Sequence, residues 1–273
     1  MAKRRKRIVE ADPVPERAPG WPRLVKWVAA GAIGVIAVVA IVIAIGFTGG
    51  GSSDNKTAII VDQLAATQPD PDFRRQASDQ LSEAGYAVDY VSGNQVDVNF
   101  FRDLPSKNYD VVILREHAGI TTEVDAATGQ RTDKEYVSLF TNEPYDSTKY
   151  ASDQINRLGK ATYFDGGDPL FGIGPAFIKD SMQGNFGGAL VVLMGCDGLR
   201  SQTTAQAFLD KGASAFVSWT NQVSGPHTDE ATVKLLKHMF VDGQAVRDAV
   251  ANTANEVGPD PSYQGELRVL TGS

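Results

Sequence analysis

The sequence predicts an α/β protein in which a doubly wound, mostly parallel sheet is flanked by helices and preceded by one transmembrane helix. Three observations predict it. From Thr57 onward short apolar runs alternate with helical patterns; two of those runs, Val111 to Leu114 and Ala189 to Met194, are apolar at every position; and a long uncharged stretch lies near the N-terminus. A run without polar alternation suits a strand buried on both faces, which is the condition of strands in a parallel sheet.

The uncharged stretch, "WVAAGAIGVIAVVAIVIAIGF", runs from Trp27 to Phe47. A helix of that length covers about 31 Å, enough to cross a hydrocarbon core of roughly 30 Å. A cleaved signal peptide would need an apolar region of only about 7–15 residues, so an uncleaved anchor is the better fit. Residues 1–26 carry eight bases and three acids. The positive-inside rule keeps that segment in the cytoplasm and sends the rest across the cell membrane, giving a single-pass protein with an extracytoplasmic C-terminal domain. Residues 48–56 form a Gly/Ser tether. Of the 26 bases and 33 acids in the chain, 18 and 30 then remain outside, a net charge of −12. A surface of that sign disfavours nucleic acid as a partner.

Within residues 57–273 the elements follow in order. "TAIIVDQL" (57–64) reads as a strand, "DFRRQASDQLSEAG" (72–85) as a helix closed by Gly85, and "YAVDYVSG" (86–93) as a second strand. A short helical piece around "VNFFRDL" precedes the third strand, "YDVVILREHAG" (109–119). The segment from about 120 to 165 changes to polar β material, read as a β-hairpin insertion at one edge of the sheet, with "KATYFD" (160–165) as a possible extra strand. "FGIG" (171–174) reads as a loop and not as a dinucleotide fingerprint, since Pro175 breaks the spacing to a third glycine. A helix at 174–184, the fourth strand at 189–194, a helix at 203–213, a fifth strand at 214–220, two helices and a closing strand at 266–272 complete the pattern. The expected order of the parallel strands is the flavodoxin-like 2-1-3-4-5.

The third strand ends on His117 and the fourth on Cys196, the sole cysteine. In such a sheet, reactive groups collect beyond the carboxyl ends of the strands. Neighbouring strands lie about 4.8 Å apart, so an imidazole and a thiol on adjacent ends can meet although 79 residues separate them. A thiol is a weak nucleophile until a base takes its proton, and a histidine supplies that base. The backbone N–H groups of Cys196 and of Ala118 or Gly119 could face a developing oxyanion. A lone cysteine excludes an internal disulfide, and the absence of CxxC, HExxH and GxxxxGK[ST] leaves no sign of a metal, a phosphate loop or any other cofactor.

"VVILREHAG" and "LVVLMGCDG", in that order at consecutive strand ends, resemble the His-Gly and Ala-Cys boxes of the caspase-like cysteine peptidases: caspases, legumain, clostripain and gingipains. The resemblance extends over roughly Thr57 to Val241 and includes "AQAFLDKGASAFVSWT". It implies an endopeptidase acting on peptide or protein substrates through a thioester, with His117 as base and Cys196 as nucleophile. It also places Ser218, Trp219 and Thr220 against the pocket for the residue before the scissile bond. Two positions depart from the pattern: alanine follows the histidine, and glycine precedes the cysteine.

Asp165, Asp168 and Asp197 could line an acidic pocket for a basic side chain, although each is also an ordinary turn residue. His227, just past the fifth strand, is a rival base, and His238 fits a solvated helix position. Glu116 neighbours His117, but adjacent strand residues point to opposite faces. The competing reading of the whole domain is a caspase-like fold without catalysis, serving as an anchored binding or scaffold domain.

Overall fold

The computed structural model describes residues 56–124, 128, 130–155, 157–164 and 166–272. The basic segment 1–26, the apolar stretch 27–47 and all but the last residue of the tether lie outside the described residues. Among the described residues no helix is long and apolar enough to cross a membrane.

The chain runs β1 (Thr57–Asp62), α1 (Pro71–Glu83), β2 (Ala87–Ser92), α2 (Val98–Asp103), β3 (Val111–Arg115), β4 (Ala118–Val124), β5 (Arg131–Pro144), β6 (Leu158–Ala161) and β7 (Leu170–Ile173). It continues with α3 (Pro175–Asp180), β8 (Leu190–Leu193), α4 (Gln202–Asp210), β9 (Ala215–Trp219), α5 (Gly225–Leu236), α6 (Val246–Val257) and β10 (Leu267–Thr271). Local chemistry sets several of the boundaries. Asp70 caps α1 by accepting the Phe73 N–H at 2.8 Å, with Pro71 in the first turn, and Asp97 does the same for α2 through Phe100. Gly85, at φ +87°, takes the left-handed conformation that turns the chain into β2.

The main sheet has the order β10-β9-β8-β3-β1-β2. Its first five strands in sequence are parallel, and β10 pairs antiparallel with β9 at the edge. The parallel strands therefore take the expected 2-1-3-4-5 arrangement. Alternate residues feed two cores. Ile59, Val61, Val112, Leu114, Val191 and Leu193 pack with Phe101, Phe177 and Phe208 on one face, while Ile60, Ile113, Val192 and Val217 pack with Phe73, Leu81, Leu235 and Val250 on the other. Burial on both faces is why these strands read as continuous apolar runs.

The 120–165 segment corrects the expectation of an edge hairpin. It builds most of a separate four-stranded antiparallel sheet, β4-β5-β7-β6, that covers one core. "FGIG" is not a loop but mainly β7. A Cβ on Gly172 would meet the Ser138 Oγ at 2.5 Å, so the glycine is there for a close strand approach. The extra strand expected at 160–165 lies at 158–161 instead. Because β4 begins at Ala118, His117 stands where the chain leaves the parallel sheet for the antiparallel one.

Candidate active site

β3 and β8 are hydrogen-bonded neighbours in the register Leu114↔Leu193. Met194 extends the ladder, its N–H donating to the Leu114 carbonyl at 2.9 Å. His117 and Cys196 each lie three residues beyond that last registered pair, so both leave the sheet at the same edge. They border one cleft of about 320 Å³, closed on its other sides by Leu64 and Gln68 after β1, by residues 222–225 before and at the start of α5, and by Tyr263.

The backbone at His117 is held on both sides. Its N–H donates to Gln63 Oε1 at 3.0 Å and its carbonyl accepts from the Phe140 N–H at 3.0 Å. Gln63 is held in turn, its amide donating to Asn142 Oδ1 at 2.8 Å and to the Tyr163 hydroxyl at 2.7 Å. The imidazole packs against the Tyr163 ring, centroids 4.7 Å apart, and no described residue hydrogen-bonds its nitrogens. Burial lowers its pKa, and the nearby Arg115 guanidinium lowers it further. The ring is thus the neutral imidazole at pH 7, able to accept a proton.

Arg115 is itself an organising residue. Fully buried, it donates two bonds to Asp229 in α5 (2.8 and 2.9 Å), one to Asp62 at the end of β1 (2.8 Å) and one to the Gln68 carbonyl (2.9 Å). One side chain thereby ties three of the elements that frame the cleft.

Cys196 is half-buried, and its thiol donates to the Val223 carbonyl at 3.6 Å. Burial pushes its pKa up, against an opposing backbone hydrogen bond at Val223, and the carboxylates of Asp197 and Asp260 add to the rise. No hydrogen bond joins the thiol to His117. A thiolate–imidazolium pair would lower the thiol and raise the imidazole; here burial moves both the opposite way, so both groups are neutral.

Asp197 follows in the left-handed conformation, φ +61°, its N–H donating to the Asn221 carbonyl at 3.0 Å. Its buried carboxylate lies 3.6 Å from Arg200. It shapes the turn and does not border the cleft. Gly198, next along, is obligatory because a Cβ would meet Ser218 Oγ at 2.1 Å.

The two backbone positions after the histidine divide. Since His117 O bonds to Phe140 N, the alternation of the β4–β5 ladder spends the Gly119 N–H on β5 and leaves that of Ala118 out of it. Gly119 packs under the Phe140 ring, and neither it nor Ala118 borders the cleft. The Ala118 Cβ would be 2.9 Å from a Cβ at position 195, and the Glu116 carbonyl 2.6 Å from it. Alanine after the histidine and glycine before the cysteine are therefore linked: a methyl at position 195 would press on both the Glu116 carbonyl and the Ala118 methyl.

The proposed specificity residues do not line the cleft. Ser218 is fully buried, its hydroxyl donating to the Leu193 carbonyl at 2.7 Å. Trp219 is a core residue whose indole N–H donates to Thr228 at 2.9 Å. Thr220 pairs with Glu266 through its N–H at 3.0 Å and its hydroxyl oxygen at 3.1 Å. Burial of β9 on both faces puts Ser218 and Trp219 in the core, while Thr220, just past the strand, is half-buried. Asp168 is exposed, and Asp165 lies outside the described residues. His227 contacts the Gly258 carbonyl at 3.3 Å and packs against Trp219, away from the cleft. His238 is not solvated as expected; it is buried against Glu256 at 2.9 Å and Asp242 at 3.2 Å.

The chain matches no protein-family model and no curated protein.

Sequence reasoning read the segment past the fifth strand for His227 and not for Val223 or Ser224, and gave Glu116 too little weight. Glu116 is 1% exposed, borders the cleft, and neither carboxyl oxygen has a hydrogen-bond partner. Burial holds its pKa well above the ordinary carboxylate range. The segment "NQVSGPHTDE" leaves the carboxyl end of a strand, a position from which it can fold over the crevice, and residues 222–225 do border the cleft.

Proposed function

We propose that the domain is a caspase-like cysteine endopeptidase, carried on the outer face of the cell membrane by the helix at Trp27–Phe47. The observation that carries this reading is the shared cleft: a neutral imidazole and the chain's single thiol border it from equivalent positions beyond two adjacent parallel strands. In the reaction His117 takes the Cys196 proton as sulfur attacks the substrate carbonyl carbon. The tetrahedral adduct collapses with rupture of the C–N bond, and the imidazolium returns the proton to the departing amine. Water then hydrolyses the thioester, with His117 again as base. Among the three main-chain candidates for the oxyanion, Cys196 is the one that borders the cleft, so its N–H is the better placed. The chemistry calls for no cofactor.

The test is covalent labelling of the full chain in detergent by a peptidyl acyloxymethyl ketone. Wild type should be labelled at one site and Cys196→Ala not at all; equal labelling of the two sinks the assignment. Fractionation tests the anchor, since deletion of residues 27–47 should move the protein from the membrane to the soluble fraction.

The second reading, an anchored binding or scaffold domain, is favoured by the engagement of the thiol with Val223 and the lack of a bond to His117. It predicts no ketone labelling at any pH and a peptide or protein partner retained by the Cys196→Ala variant.

A further inference from the structure

The loop that meets the thiol is fastened from the far end of the chain. Asp260, fully buried just after α6, accepts through Oδ2 from the Ser224 N–H at 2.9 Å and the Ser224 hydroxyl at 2.7 Å. Its Oδ1 accepts from Ser262 N at 2.9 Å and Tyr263 N at 2.8 Å, which fixes the carboxylate within its own turn. Asn221 donates from its side chain to the Tyr263 carbonyl at 2.8 Å. Packing is close enough that a Cβ on Gly265 would lie 2.5 Å from the Gln222 carbonyl. Held at both ends, the loop presents the Val223 carbonyl to the Cys196 Sγ.

We propose that Asp260 is a positioning residue that clamps residues 220–224 over the thiol and so keeps the nucleophile at rest, and that displacement of the 258–266 segment releases it. Buried hydrogen bonds to an ionised carboxylate are strong, so the clamp is firm without being covalent. The acceptor it supplies engages the same proton that His117 would have to take, so the clamp and the base compete for one hydrogen. The other ionisable groups around the thiol are Asp197 in its own turn, Glu116 and His117 from the end of β3, and Tyr263 from the 258–266 segment; α5 contributes the uncharged Thr228. Two of the three carboxyl groups, Asp197 and Asp260, disfavour a thiolate through their charge. The catalytic consequence of the clamp rests on the peptidase reading, whereas the clamp itself does not.

Because the chain has one cysteine, iodoacetamide alkylation of the full chain in detergent reports this thiol alone. The rate is measured against pH for wild type, Asp260→Asn and Ser224→Ala, with Cys196→Ala as blank. Asparagine would set an amide N–H against donors, opening the clamp while nearly keeping its shape. The Asp260→Asn curve should move to lower pH, with a rate at neutral pH raised roughly tenfold, as about one unit of thiol pKa would give. Ser224→Ala should move the same way by less, about threefold. Curves unchanged in folded protein overturn the clamp. If Asp260→Asn fails to fold by circular dichroism, the Ser224→Ala curve decides alone. Shifted curves with no ketone labelling in any variant would retain the clamp and remove the peptidase; labelling with unshifted curves would do the reverse.

Discussion

On the β3 side of the cleft no described residue hydrogen-bonds the His117 ring, while the backbone behind it is tied down. On the β8 side the reactive sulfur itself is tied, and the tie leads to a loop and then to a turn 64 residues further along the chain. Arg115, Gln63 and the β4–β5 ladder fix His117 through bonds within the sheets and the two segments next to them. Cys196 depends on whether the C-terminal segment stays docked. On the proposed peptidase reading, a fixed base opposite a restrained nucleophile would let the release of one loop ready the site without movement of the base.

The sharpest break in this contrast comes from the rigid side. Arg115→Met would leave the Asp62 and Asp229 carboxylates buried without their cation, and the loss of one partner from such a network costs about 3–5 kcal/mol. Urea denaturation should show that loss, with part recovered when Asp229→Asn is added. A loss under about 1 kcal/mol would mean that the β3 side is not anchored as described.

Next in size is Gly195→Ala. The added methyl would press on the Glu116 carbonyl and on Ala118, and overpacking of this kind costs about 1–3 kcal/mol. Adding Ala118→Gly should recover only part of it, since the carbonyl contact at 2.6 Å belongs to the backbone. Full recovery, measured by thermal melting, would show that the methyl alone sets the spacing between the two sides.

These residues also mark what was legible in the sequence. His117 and Cys196 were found because buried parallel strands announce themselves as apolar runs, and the residue after such a run falls at the carboxyl edge. Gly195 and Ala118 looked like two unrelated departures until the fold brought them into contact. Ser218 and Trp219 were misplaced for the converse reason: the fifth strand is buried on both faces, so its last residues belong to the core and not to a pocket. The antiparallel sheet was read as an edge hairpin because β7 is only four residues long, with a glycine inside it. Nothing local could have revealed Asp260. Its role follows from where the chain returns after α6, a contact with Ser224 across 36 residues.

A smaller effect separates Glu116 from both sides. Burial sets its carboxyl pKa in the fold well above its value in the unfolded chain. Its contribution to stability is therefore greatest below the ordinary glutamate pKa and is lost as pH rises toward the folded value. The difference between wild type and Glu116→Gln, followed by urea denaturation at pH 5 and pH 8, should move in favour of the variant at the higher pH. A difference independent of pH would mean that the carboxyl ionises in the cleft and has a partner there.

The smallest expected change is also the most direct test of whether the two sides act separately. Tyr163→Ala removes the ring that covers His117 and with it the hydroxyl contact to Gln63. Burial is the larger of the two influences that lower the imidazole pKa, so the value should rise toward that of an exposed histidine while staying below it, because the Arg115 charge remains. Proton NMR of the ring would follow the shift. The Cys196 alkylation curve should not move with it, since in the resting structure no bond links the thiol to the ring. A curve that shifts in step with His117 would show that base and nucleophile already share a proton, and the clamp on the β8 side would then be no barrier to the chemistry.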